Sequence, residues 1–252
     1  MITIKTEPEI EIMKAGGKIT AKALKAALAS AKPGVKLSEL EEIAGKEIYQ
    51  AGGEPAFKRV PGYNFATCIN VNEGVVHGIP GDRKLEEGDL VSVDLGTYYK
   101  GFNTDASWTA YVGDINKASA DQRNLLAVGQ RALSQAIAQA ALDNHIADIT
   151  LAMQKVLEEG GYAPMDTLVG HGIGRELHED PQIPCLLIHK KTPRIKVGMT
   201  LAIEVIYAQG SSETEIEEDG WTVRTADGSL SGLFEHTVAI TAQGPVVLTE
   251  QE

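Results

Sequence analysis

The sequence predicts an α/β fold made of two similar halves. Two observations carry that expectation. The order long helix, shorter helix, double glycine and strands occurs twice, and at an offset of about 109 residues Leu37-Ser38-Glu39-Leu40 aligns with Ile146-Ala147-Asp148-Ile149. The first half closes on residues 91–109, which alternate in polarity as two strands around a turn. Helices and strands repeated in this way pack as layers around one core, so residues 1–252 are expected to form a single pseudo-symmetric domain with halves of about 1–115 and 116–252.

Each element has a local reason. Residues 2–4 are strand-like. Thr6-Glu7-Pro8-Glu9 is a capping box with Pro in the first turn, and its helix is expected to run to about Lys32. Ile10, Met13, Ile19 or Thr20, Leu24 and Leu28 form the inner stripe, and Pro33-Gly34 ends the helix. Ser38-Glu39-Leu40-Glu41 reads as a second capping box, for a helix that stops at Gly52-Gly53. In the second half the long helix is expected over 118–141 and the short one over 146–159, closed by Gly160-Gly161.

Composition narrows the function classes. At 252 residues the chain can bury a sizeable core, and 43% hydrophobic with 23% charged residues is ordinary for a globular protein. The net charge of −12 argues against DNA or an anionic membrane as partner, since both favour an excess of Lys and Arg. No apolar run approaches membrane-spanning length and residues 1–17 lack a signal-peptide core, so the cytoplasm is the expected compartment. Cys68 and Cys185 form no zinc pattern and read as free thiols in a reducing environment.

The hairpin carries the first chemical signal. Val91, Val93 and Leu95 alternate with Ser92, Asp94 and Gly96, and Asp105 follows on the return strand. A Tyr99-Lys100 loop places Asp94 directly opposite Asp105; a shift to Lys100-Gly101 makes them diagonal neighbours on the same face. Two buried carboxylates at that range need a proton or a cation between them, whereas an aspartate at a turn or edge needs neither. Further on, Glu204 lies inside the apolar run 199–207 and Glu235 inside 233–240, with no Lys or Arg at strand spacing. An isolated carboxylate in an apolar strand costs several kcal/mol unless paired. Four such carboxylates match two divalent cations in charge. An imidazole from Gly170-His171-Gly172-Ile173-Gly174 completes an N/O donor set suited to Mn, Fe, Co or Zn, the three glycines letting the backbone approach whatever the imidazole binds. Taken alone, His178 before Glu179 and Asp180 reads as a protonated histidine held in a solvated acidic turn, and His77 as a surface or structural residue among Gly and Pro turn signals.

In combination these motifs resemble type I methionine aminopeptidases of the short bacterial kind. The resemblance runs from Ile4-Lys5-Thr6 to Phe234-Glu235-His236-Thr237, and takes in Asp94 with Asp105, Gly170-His171-Gly172-Ile173-Gly174-Arg175, His178-Glu179, Ile203-Glu204 and Gly220-Trp221-Thr222-Val223. It implies the pita-bread fold, an antiparallel sheet covered by helices. It implies Asp94, Asp105, His171, Glu204 and Glu235 as ligands of a two-metal centre, with Asp105 and Glu235 bridging. It also implies Glu204 as proton acceptor, His178 as a donor to the developing oxyanion, and His77 in placing the peptide. Tyr63, Cys68, His77, Leu177, His178 and Trp221 then bind the substrate, with an apolar and aromatic slot for methionine. The further implications are a monovalent cation (Na or K) near Asn72, Gly74 and Ser231, nascent polypeptide N-termini and the ribosome as partners, and a monomer.

Several positions depart from the family pattern. Val205 stands where proline usually follows the glutamate, Leu177 replaces phenylalanine, Leu233 replaces glutamine and Cys185 replaces asparagine. None is an implied ligand, so they bear on pocket shape and on how strictly methionine is preferred. The competing readings are an Xaa-Pro peptidase of the same fold, suggested by Asp94–Gly101 but usually with an extra N-terminal domain, and a binding relative that has lost catalysis, from which metal ligands are typically missing. His145 and His189 read as surface residues, and His236, next to Glu235 on a strand, points to the opposite face.

Overall fold

A computed structural model describes residues 1–187 and 191–250; His189 lies outside them. Helices α1 (Glu7–Ser30), α2 (Leu37–Gln50), α3 (Ala120–Gln139) and α4 (Ile146–Glu159) cover one face of a large sheet. The strands are β1 (Glu54–Pro55), β2 (Thr67–Val71), β3 (Gly74–Val76), β4 (Leu90–Tyr99), β5 (Phe102–Tyr111), β6 (Ala163–Pro164), β7 (Val169–Gly172), β8 (Glu179–Pro184), β9 (Thr200–Ala208), β10 (Thr214–Ile216), β11 (Val223–Thr225), β12 (Ser231–Thr241) and β13 (Gly244–Val247). The main sheet runs β1-β4-β5-β12-β9-β7-β8, with β2 on β4, β6 on β9 and β13 on β12; β10-β11-β3 form a small second sheet. The paired strands are antiparallel.

The two halves repeat closely. α2 and α4 are both 14 residues long, and both they and the short strands β1 and β6 are offset by 109. The helix entries match too: the backbone N–H of Lys36 donates to Glu39 at 3.1 Å and that of His145 to Asp148 at 2.7 Å. This moves the second expected cap from Ser38 to Lys36, with Glu39 supplying the acceptor. Thr6 with Glu9 and Ser119 with Gln122 close the long helices as capping boxes, so the second long helix begins at Ala120 instead of 118.

On α1 it is Thr20 and not Ile19 that is buried, among Gly16, Gly17, Ala21 and Ala23, and its hydroxyl lies 2.9 Å from that of Thr104. Small residues let this helix lie close to the sheet: a Cβ on Gly17 would sit 2.1 Å from the carbonyl oxygen of Leu248. Residues 2–4 form no strand; the chain is tied there by Lys5 N–H donating to Gly198 O at 2.7 Å. The alternation expected of the strands holds. Val91, Val93, Leu95 and Ala106 face α1 and α2, while Ile203, Val205, Tyr207 and Phe234 face α3 and α4. The intervening Asp94, Asp105, Glu204 and Glu235 therefore face the other way, into the cavity. No helix among the described residues is long and apolar enough to cross a membrane.

Candidate metal centre

The hairpin turn decides the register. Lys100 and Gly101 both have positive φ, 48° and 93°, as a two-residue type I′ turn requires, and Tyr99 pairs with Phe102. Asp94 is therefore opposite Ser107 and Asp105 opposite Gly96. The aspartates are diagonal neighbours on one face and not directly opposed.

From there one rung crosses five strands. Cys68 is opposite Asp94, Asp94 opposite Ser107, Ser107 opposite Glu235, and Glu235 opposite Glu204. Asp105 precedes Ser107 by two residues, and His171 is opposite Ala202, two before Glu204. Both therefore share the face of that rung. Ligand atoms of Asp105, His171 and Glu235 lie within 4.8 Å of one another, and His171 Nε2 is 3.5 Å from Glu204 Oε1. His171 Nδ1 is 2.9 Å from Gly172 O, which can only accept, so Nδ1 carries the proton and Nε2 turns a lone pair toward the carboxylates.

The electrostatics are those of an unneutralised acidic cluster. Burial pushes the Asp94 carboxyl well above its ordinary range, and the charges of Asp105 and Glu204 add to it. Burial raises Asp105 to about 7. It raises Glu204 too, with help from Asp105, and Glu235, with help from Asp105, Glu204 and Asp94. Burial and then His178 lower His171 to about 4, which keeps its imidazole neutral. Asp94 Oδ1, Asp105 Oδ1, Glu235 Oε1 and Ser107 Oγ are buried without a hydrogen-bond partner. Oxygens left in that state cost about 1–3 kcal/mol each, more for charged groups. Hard oxygen donors around one available imidazole nitrogen fit divalent metal ions.

A cavity of about 190 Å³ lies over these donors. Tyr63, Cys68, His77, Asp94, Asp105, His171, Leu177, His178, Glu204, Trp221 and Glu235 all line it, so the structure brings together the expected catalytic, metal and substrate residues, while Asn72, Gly74 and Ser231 do not line it. One wall is apolar. Tyr63 meets Trp221 edge to face at 5.0 Å between centroids, and Phe57, Val60 and Leu177 continue the surface. Trp221 is presented by Asp219, whose carboxylate accepts from the N–H groups of Trp221 and Thr222 at 2.8 Å. Tyr63 is fixed by donating to Thr67 O at 2.8 Å. His77 sits at the cavity with φ 58°, a left-handed conformation uncommon outside glycine. His178 stacks its ring edge-on to His171 at 4.5 Å.

Two sequence expectations change here. The acidic turn expected around His178 is solvated at Asp180, whose side chain is 57% exposed, but not at Glu179. Glu179 is buried against Lys5 Nζ at 2.5 Å and accepts from Thr3, while Asp180 pairs with the ammonium of Met1 at 2.5 Å. Nor do the glycines flanking His171 serve the pocket. A Cβ on Gly170 would meet Ala202 O at 2.5 Å, on Gly172 Asp180 O at 2.1 Å, and on Gly174 the Lys5 side chain at 2.3 Å. They let neighbouring backbone and Lys5 pack closely around the histidine.

The sequence pattern of metallopeptidase family M24 matches residues 11–242. The chain belongs to family M24. Among M24 members, the methionine aminopeptidase of Clostridium perfringens is 40% identical over 249 residues, covering 99% of each chain, and methionine aminopeptidase 1 of Bacillus subtilis matches to the same extent. The crystal structure of methionine aminopeptidase from Thermotoga maritima has a TM-score of 0.95 at 40% identity, over 99% of this chain and all of that one. The prolidase of Pyrococcus furiosus has a TM-score of 0.80 at 27% identity, this chain covering 66% of it. Within M24 the chain therefore falls with the methionine aminopeptidases, has their pita-bread fold, and is a hydrolase that uses divalent metal ions.

Some residues of this cavity and its supports escaped the sequence. Phe57, Val60 and Val76 line the cavity without any motif to mark them. Ser107, two residues beyond Asp105, was within reach of the same alternation rule that selected the aspartates. Glu41 was also missed; it accepts from Ala66 N, Thr67 N and Thr67 Oγ1 at 2.7–2.9 Å and so anchors the strand that carries Cys68 to Asp94.

Proposed function

We propose that this protein removes the N-terminal methionine from peptides and nascent proteins, with Asp94, Asp105, His171, Glu204 and Glu235 holding two divalent ions. The observation that carries the reading is the set of buried, unpartnered oxygens on Asp94, Asp105 and Glu235 lining one cavity under an apolar wall, those of Asp105 and Glu235 clustered with His171. Bound there, the metals supply Lewis acidity and a water acidic enough to attack at neutral pH.

The chain's own residues do the rest. Glu204, in the middle of the apolar strand β9, takes up the proton released on attack; burial raises its affinity for a proton. His178, at the cavity beside His171, donates to the oxyanion as it develops. His77 orients the peptide. Tyr63, Cys68, Leu177 and Trp221 receive the methionine side chain, a flexible and polarisable group that suits an apolar and aromatic slot.

Donor chemistry admits Co, Mn, Fe or Zn, and supply in the cell chooses among them. A monovalent cation (Na or K) is assigned to the carbonyls of Asn72 and Gly74, which lie against Ser231 at 3.3 and 2.6 Å. The enzyme works as a cytoplasmic monomer on chains leaving the ribosome. The decisive experiment is methionine release from Met-Ala-Ser across a panel of divalent metals, beside Ala-Pro-Ala. Cleavage of the second peptide and not the first replaces this reading with that of an Xaa-Pro aminopeptidase of the same fold.

A further inference from the structure

β5 and β12 are the strands by which the two halves join, and direct ladder pairs there are Glu235 with Ser107 and His236 with Ala106. On either side of them a threonine hydroxyl takes the place of the ladder. Asp105 N donates to Thr237 Oγ1 at 2.8 Å, and that hydroxyl donates to Asp105 O at 2.8 Å. In the other direction Leu233 N donates to Thr109 Oγ1 at 2.9 Å, and that hydroxyl donates to Leu233 O at 2.8 Å.

The two clasps are mates about the Glu235–Ser107 pair. Each threonine holds both main-chain polar groups of the residue it faces, and each is fully buried or nearly so. They differ in what they hold. Leu233 offers no donor atom, whereas Asp105 contributes an orphaned carboxylate oxygen to the metal centre. Thr237 is itself fixed: its N–H donates to Thr249 Oγ1 at 3.1 Å, and its carbonyl accepts from Leu248 N at 2.8 Å. A main chain held at both N–H and C=O cannot rotate its Cβ away from the donors opposite.

We infer that Thr237 is a positioning residue for metal binding, its hydroxyl fixing the main chain of Asp105 so that the carboxylate meets Glu235 and His171. The inference rests on the two-metal reading above. Removing a group that orients a ligand typically weakens metal affinity about 10–100-fold.

The test is Mn²⁺ binding measured by anaerobic titration calorimetry on the full chain, beside thermal unfolding without metal. Thr237→Val, which keeps the shape and loses the hydroxyl, is expected to weaken Mn²⁺ binding at least about tenfold. Thr237→Ser restores the affinity of the wild type. Thr109→Val breaks the mate clasp; it lowers the unfolding temperature and leaves affinity in place. Equal Mn²⁺ affinity in wild type and Thr237→Val overturns the inference, as does an equal loss in Thr109→Val. If the valine variant does not fold, Thr237→Ser decides: it is expected to lose stability from the missing methyl and not affinity, and a tenfold weaker serine variant overturns the assignment. A wild type that takes up none of Mn²⁺, Co²⁺, Fe²⁺ and Zn²⁺ overturns the two-metal reading and this inference with it.

Discussion

Asp94 and Glu204 occupy equivalent places in the two halves of the molecule. Each lies on the strand next to the central pair, and each stands opposite a residue that meets its counterpart across the joint, Ser107 for Asp94 and Glu235 for Glu204. The positions flanking the central pair, Asp94 and Glu204, are both acidic, while the pair itself is serine on one side and glutamate on the other.

Replacing one of the clustered buried acids separates function from stability. Glu235→Gln and Asp105→Asn are expected to lower metal-dependent methionine release at least about 100-fold, since losing a ligand costs more than losing the group that orients it. Without metal, the same changes remove a charge from a buried like-charge cluster and raise the unfolding temperature. Near-normal release in both variants removes these residues from the ligand set.

His178→Ala is expected to leave metal content close to that of the wild type and to lower turnover by about 10²-fold, the usual scale for loss of one oxyanion donor. Metal stoichiometry measured beside kcat checks it. A collapse of occupancy instead makes His178 a structural support of His171.

The pocket wall should govern side-chain selectivity. Leu177 lines the cavity beside Trp221, and Leu177→Phe narrows it with a larger ring. The expected outcome is a kcat/KM ratio of Met-Ala-Ser over Leu-Ala-Ser that rises about tenfold, within the 10–200-fold range that one methylene can give. An unchanged ratio places methionine selection elsewhere in the cavity.

The Lys5–Glu179 pair should anchor the loop that carries His178. Both side chains are almost fully buried. Glu179→Gln leaves a buried ammonium without its partner and is expected to cost about 3–5 kcal/mol in urea unfolding, with Lys5→Met/Glu179→Gln recovering part of it. Burial opposes the Glu179 charge, but hydrogen bonds from Lys5 and Thr3 outweigh it and hold the carboxyl below its ordinary value of 4.5. The folded state therefore binds this proton less readily than the unfolded one, and the pair's contribution is complete above pH 4.5 and fades as pH falls through the lowered value. A Glu179→Gln variant that matches the wild type across that range shows the pair to be neutral.

Local signals explain what was legible from sequence. Glu159 ends α4 as expected because Gly160-Gly161 follows, and Gly161 takes φ 81°, as Gly52 does in the first half. The acidic ligand candidates stood out because a lone carboxylate in an apolar strand is costly wherever the strand lies. What depended on distant neighbours stayed hidden. Residues 2–4 alternate like a strand, but alternation does not supply a partner. The glycines around His171 answer to Ala202, Asp180 and Lys5, all remote or across a turn. Ser107 and Thr237 are neutral, so inside strands they resemble ordinary packing until the rung and the clasp are seen. The hairpin turn was readable in principle: only Lys100-Gly101 puts glycine at its second positive-φ position.

The 109-residue offset shared by α2 with α4 and by β1 with β6 bears on how such a centre can arise. A half-length ancestor that paired with itself would carry identical side chains on both inner strands, and its acids would come in matched couples. Tandem fusion releases that constraint. Once the copies share one chain, serine can stand on one side of the joint and glutamate on the other, and a site astride a symmetry axis becomes free to be asymmetric.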